Sequence, residues 1–167
     1  GSYLIERIAK LRVKVEIASE FRYKDPILDS NTFFIVISQS GETADTLEAL
    51  KLAKQSGLKT LGICNVDNSS IVRESDFSLL TRAGIEKGVA STKAFATQVM
   101  VFWILANFLA QKRGILDSAT LQQEAKTMLE ASKATKVDKK LHERIKRLSR
   151  RYLHGHGFFF IGRDIFY

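Results

Sequence analysis

Apolar and polar positions follow two different periods along the chain, and each switch between them marks a change of element. Residues 3–11 (YLIERIAKL) keep helical spacing, whereas residues 13–17 (VKVEI) alternate strictly and predict a strand. Residues 32–37 (TFFIVI) are a continuous aromatic and β-branched run, the pattern of a strand buried on both faces. A polar turn at 38–42 leads into a helix with Leu47, Leu50 and Ala53 on one stripe, and Gly57 ends it. Two more strands are predicted at residues 60–64 (TLGIC) and 77–80 (FSLL).

After a glycine-punctuated loop at 84–88, a strongly apolar helix is predicted over about 92–111. Its unbroken centre, Val99 to Ala106, is far shorter than the ~20 residues a membrane span needs, and Gln98 and Asn107 interrupt it. It reads as a core or interface helix, with no membrane partner expected. From about residue 117 to 151 the pattern changes to polar, alanine- and lysine-rich helices. Residues 157–161 (GFFFI), followed by Gly162, Arg163 and Asp164, predict a new strand opening a second βα unit. Residues 158–163 (FFFIGR) echo residues 33–38 (FFIVIS). Alternating helices and continuous apolar strands predict an α/β fold of three layers, with a mostly parallel, flavodoxin-like sheet. Ligands of such a sheet bind at the carboxyl ends of its strands.

Composition narrows the class. With 167 residues, 45% hydrophobic and 26% charged, the chain can bury a core and is not disordered. A single cysteine, Cys64, supports neither an internal disulfide nor a cysteine-rich zinc site, which suits a reduced, cytoplasmic protein. The formal charge of +8 first suggests nucleic acid. Almost all of it lies in residues 132–151, on one predicted helix whose apolar stripe, Leu141, Ile145 and Leu148, is expected to be buried. Without interleaved aromatic residues this reads as a solvated helix face, so no nucleic-acid partner is expected.

The chemistry concentrates in Ser38-Gln39-Ser40-Gly41-Glu42-Thr43, between a strand and a helix. A helix N-terminus offers unpaired N–H groups and a partial positive charge. Three hydroxyls there suit a phosphate, and Gly41 lets the backbone approach it. The other reading is a plain helix cap by Ser40 or Thr43. No Gly-Lys-[Ser/Thr] and no G-x-G-x-x-G follows, which argues against nucleotides. Glu42 and Asp45 would repel a phosphate and are expected to point away from it.

This turn resembles the phosphosugar-binding turn of sugar isomerase (SIS) domains. Residues 16–23 (EIASEFRY) and 88–95 (GVASTKAF), in this order and spacing, are similar to one branch of those domains. That branch is the isomerase half of the glutamine-dependent aminotransferases that make glucosamine 6-phosphate from fructose 6-phosphate. The similarity runs over about residues 3–114, weakens through the basic helices and returns at 158–163. It implies that the side chains of Ser38, Ser40 and Thr43, with the backbone at Gln39, hold the sugar phosphate. It implies that Val89 and Ser91 approach the sugar hydroxyls. It also implies a hexose 6-phosphate ligand, a homodimer formed through SIS domains, and a glutaminase domain in the full protein, with no cofactor and no metal. In that family, acid–base groups move a proton between C1 and C2 and a lysine forms a Schiff base.

Two departures stand out. The family's first strand, with its own phosphate-binding serine, has no match ahead of Tyr3, and its catalytic glutamate, histidine and lysine have no match before Tyr167. Residues 3–131 are therefore expected to be one SIS domain lacking its first strand, and 132–167 a linker helix and the start of a second. Such a chain holds a binding half-site with no catalytic residue and is expected to be inactive alone. A non-catalytic, phosphosugar-sensing SIS module is the rival reading, although no helix-turn-helix precedes Tyr3. A related deglycase or deaminase would diverge around residues 89–95.

The remaining candidates read as structural. Cys64 is expected to pack as a small hydrophobe, and Trp103 and Phe102 to pack in the apolar helix. His142 is expected to be solvated, and His154 and His156 lack an obvious third metal ligand. Lys93 and Glu86 read as helix-start charges beside the sugar-side loop.

Overall fold

The computed structural model describes residues 1–87, 92–157 and 159. It divides into two compact units, Gly1–Ala125 and Lys126–Tyr167.

In the first unit, α1 (Ser2–Leu4) runs into a π-helical stretch, Ile5–Ala9. A short helix α2 (Ala18–Phe21) follows, then β1 (Phe33–Ser38), α3 (Ala44–Gln55), β2 (Lys59–Cys64), α4 (Ser70–Glu74), β3 (Phe77–Leu80) and α5 (Thr92–Lys112). The three strands are parallel in the order β1-β2-β3, with Phe33 opposite Lys59 and Leu61 opposite Phe77. Parallel neighbours require crossovers, which α3 and α4 supply.

Helices cover both faces, giving the three layers expected. On one face Leu61 and Ile63 pack with Ile5, Ala9, Phe102, Leu105, Ala106 and Ala110. On the other, Val36 and Cys64 pack with Leu50 of α3 and Ile71 of α4. Gly62 lets α4 cross close to the sheet, because a Cβ there would lie 2.7 Å from the Ser75 hydroxyl. Asp76 joins α4 to β3 and accepts hydrogen bonds from the N–H (2.9 Å) and hydroxyl (2.8 Å) of Thr60.

Three sequence expectations change in the first unit. Residues 13–17 are irregular coil. The Val13 N–H donates to the Glu6 carboxylate (3.0 Å), Glu16 pairs with Lys14 (2.8 Å) and Lys24 (2.7 Å), and Val15 is 72% exposed. Strict alternation fits a strand only where a neighbouring strand takes its hydrogen bonds, and these residues have none among those described. Second, β1 is not buried on both faces. Phe33 and Ile37, on the face turned toward α5, are 46% and 43% exposed, because the helices there cover β2 and leave the edge strand partly open. Third, α5 carries an inner face in the core, while Phe95, Ile104 and Phe108 are exposed. It is also the one helix among the described residues long and apolar enough to cross a membrane, over Lys93–Lys112. Length therefore does not exclude a span, as its short unbroken centre suggested; its packed inner face is what ties it to the sheet.

Helix α6 (Ser118–Ala134) leaves the first unit with its start capped by Asp117, which accepts from the Thr120 N–H (2.7 Å). In the second unit, α7 (Lys139–Ser149) is capped by Asp138, which accepts from the Leu141 N–H (2.7 Å). Its stripe Leu141, Ile145 and Leu148 is exposed and lines an open groove with Arg144, Arg147 and Arg151. The expected burial is not seen, because an amphipathic pattern marks the face that favours burial without supplying its partner. The predicted strand at 157–161 and residues Gly162, Arg163 and Asp164 fall largely outside the described residues.

Candidate functional site

At the end of β1 the chain turns sharply to enter α3, and the turn is held by its own polar groups. Ser38 Oγ accepts from the Gly41 N–H (2.9 Å) and shares a hydrogen bond with Thr43 Oγ1 (3.0 Å). Ser40 Oγ accepts from the Glu42 N–H (3.2 Å). Gly41 has φ +71°, which disfavours any side chain. A Cβ on it would lie 2.0 Å from Ser69 Oγ, so the turn rests directly on the start of α4.

Thr43 occupies the N-cap position of α3, yet its side chain makes no capping bond to the helix. Its carbonyl accepts from the Leu47 N–H (2.9 Å), as the first helical bond requires. The cap reading therefore fails at Thr43, and the first N–H groups of α3 keep their capacity for another acceptor. Ser38 is buried and braces the turn from within, Gln39 and Ser40 are half-buried, and Thr43 is exposed. Val89 and Ser91, the expected sugar-side residues, lie outside the described residues.

Both acids beside the turn point elsewhere, as expected. Glu42 Oε1 accepts from the Ser70 N–H at the start of α4 (2.7 Å), and hydrogen bonding from Ser70 holds its carboxyl below the usual range. Asp45 pairs with Arg22 (3.1 Å). Glu42 is thus drawn to α4, and Asp45, in the first turn of α3, has its charge paired with Arg22.

The turn opens toward a cavity of about 550 Å³ at the carboxyl ends of the strands, lined by Gln39, Asn65, Asp67, Arg82 and Glu86 among others. Asn65 organises it. Its N–H donates to the Gln39 carbonyl (3.2 Å) and its side-chain amide to the Gly84 carbonyl (2.8 Å). Its Oδ1 accepts from Thr81 Oγ1 (3.1 Å) and the Ala83 N–H (2.7 Å). Sequence reasoning passed over Asn65, although an asparagine directly after a buried strand and before Asp67-Asn68 marks a ligand-side loop.

The other candidates take structural roles. Glu86 accepts from the Ala94 N–H (3.2 Å) and Lys93 donates to the Ile85 carbonyl, so both secure the start of α5. Phe102 is buried, and Trp103 donates its indole N–H to Glu124 (3.1 Å). Cys64 is fully buried and burial pushes its thiol pKa up, which leaves it unreactive. His142, His154 and His156 are exposed, and the described residues hold no cluster of three or more metal-binding side chains.

Known proteins resemble this chain in sequence and fold. The chain is 66% identical over its whole length to a glutamine–fructose-6-phosphate aminotransferase (isomerizing) of Campylobacter jejuni, and spans 27% of that protein. It is 58% identical over 99% of its length to the Helicobacter pylori enzyme of the same name, and spans 28% of it. The C-terminal domain of the Francisella tularensis glucosamine-fructose-6-phosphate aminotransferase superposes with a TM-score of 0.71 at 47% identity, covering 79% of this chain and 37% of that one. The chain thus spans less than a third of the curated relatives it matches. The model of one family, the SIS domain, matches residues 1–108, the part that contains the sheet, the turn and the cavity. With that match over most of its length, on a parallel sheet whose serine-rich turn meets a helix start, the chain belongs to the SIS domain family.

Proposed function

We propose that this chain is the phosphosugar-binding part of the isomerase half of a glutamine–fructose-6-phosphate aminotransferase. Fructose 6-phosphate is its ligand, with the phosphate at residues 38–43 and the sugar toward the cavity edged by Asn65 and Glu86. The observation that carries the reading is the start of α3, where Thr43 leaves the helix uncapped while Glu42 and Asp45 are engaged elsewhere. N–H groups and the Ser40 and Thr43 hydroxyls there satisfy an anion without a full cation. The identity to relatives bearing that enzyme name supports the same ligand.

In the reaction of the whole enzyme, ammonia from glutamine adds to fructose 6-phosphate and the product isomerises to glucosamine 6-phosphate. This chain's proposed share is anchoring, and no catalytic residue is assigned within it. Anchoring the remote phosphate contributes binding energy that the complete site uses for positioning. A glutaminase domain, a first SIS domain at 3–131 followed by a second from 132, and a cytoplasmic setting complete the proposal. The exposed Phe95, Ile104 and Phe108 of α5 favour a homodimeric contact.

Calorimetry tests the ligand. Fructose 6-phosphate should bind far more tightly than fructose; equal heats, or none, for both would refute the reading.

A further inference from the structure

Glu42 presents a physical conflict. It precedes the N-cap of α3, where a carboxylate would be favoured by the helix field and would compete with any incoming anion. Its side chain instead turns to α4 and accepts from the Ser70 N–H (2.7 Å). A second bond runs parallel to it, from the Ile71 N–H to the Gly41 carbonyl (3.0 Å). Gly41 itself packs on Ser69, whose buried hydroxyl has no oxygen or nitrogen partner among the described residues. Two hydrogen bonds and one close contact therefore clamp the turn to the three residues Ser69, Ser70 and Ile71.

We propose that Glu42 is a positioning residue of the anion turn: by reaching across to the Ser70 N–H it fixes the backbone at Gly41 and withdraws its own charge from the start of α3. This rests on the phosphate reading of residues 38–43. The charge of Glu42 is stabilised by the amide it accepts from and by the nearby charge of Arg73, whose guanidinium donates to Ser70 Oγ (3.1 Å). Low carboxyl affinity for protons keeps Glu42 ionised through the neutral range. Reach to Ser70 matters more than charge. An aspartate keeps the charge but is one methylene short of Ser70, and sits where it disfavours the anion. A glutamine keeps both the length and an acceptor oxygen.

The test compares Glu42→Gln, Glu42→Asp and Glu42→Ala with the unaltered chain. It measures fructose 6-phosphate affinity by calorimetry, unliganded melting temperature, and amide exchange at Ser70 and Ile71. Glu42→Gln should retain affinity within about threefold, while Glu42→Asp and Glu42→Ala weaken it by about tenfold or more, as loss of the hydrogen bond that holds the turn to Ser70 implies. Exchange at Ser70 and Ile71 should quicken in the latter two variants and not in the first. All three variants binding like the unaltered chain would overturn the proposal, as would Glu42→Gln binding as weakly as Glu42→Ala. No binding by the unaltered chain would remove the functional reading and the proposal with it. Unaltered binding with indistinguishable variants would remove the proposal alone.

Discussion

Gly41→Ala is the sharpest single perturbation of the turn. The backbone there has φ +71°, a region that costs a residue with a Cβ about 1–2 kcal/mol. The new methyl would also sit 2.0 Å from Ser69 Oγ and 2.4 Å from Ser69 Cβ, too close for a rotamer change to relieve. Overpacking of this kind costs about 1–3 kcal/mol. Against these, alanine restricts the unfolded chain and returns about 0.4–1 kcal/mol. The net loss is about 1–4.6 kcal/mol, a fall in melting temperature of roughly 2–18 °C for a chain of this length. Thermal and urea unfolding measure it directly. The steric part can be isolated by adding Ser69→Gly, which removes both colliding atoms. Ser69 makes no side-chain capping bond to α4, so a glycine at that N-cap costs only about a few tenths of a kcal/mol by itself. The double variant should recover the packing loss and keep the backbone strain. A Gly41→Ala melt within about 1 °C of the unaltered chain would refute the argument. A double variant no more stable than the single one would show that Ser69 is not the obstacle.

Thr43→Ala should lower stability by no more than about 1 kcal/mol, since its hydroxyl bonds Ser38 and not the helix, yet weaken fructose 6-phosphate binding about tenfold or more. A destabilised variant with unchanged affinity would make the turn structural. Asp76 predicts an acid limb: hydrogen bonds from the Thr60 hydroxyl and N–H hold its carboxyl below 3.8. The unfolded chain therefore binds the proton more readily, so this stabilisation is complete above about pH 4 and is lost as pH falls through the lower folded value. Stability curves between pH 5 and 2.5 should be flatter for Asp76→Asn, and parallel curves would refute the linkage.

Much of the fold was legible because its signals are local. The run at 32–37 and the apolar stripe of Leu47, Leu50 and Ala53 identify β1 and α3 from neighbouring residues alone, and Gly57, at φ +76°, ends α3 as its position requires. Residues 13–17 misled for the opposite reason. Alternation is local, but a strand exists only through a partner elsewhere. Leu141, Ile145 and Leu148 failed in the same way, because the surface that would bury them is not encoded in α7. At the site, the withdrawal of Glu42 and Asp45 could be anticipated from electrostatics. Their destinations, Ser70 and Arg22, lie 28 and 23 residues away in sequence. Asn65 went unnoticed because its importance lies in three backbone and side-chain partners of the 81–84 loop that no spacing rule predicts.

The partly open β1 bears on how the isolated chain behaves in solution. Its outer edge has no strand partner among the described residues, and residues 33–38 contain no charge and no proline. Natural proteins use such residues to keep edges from templating aggregation. Colloidal protection falls instead to the net charge of +8, which keeps copies apart at low ionic strength. That repulsion is electrostatic, and salt screens it to a range of about 8 Å at physiological strength. Concentrating the chain in salt therefore removes its defence while leaving the adhesive edge unchanged.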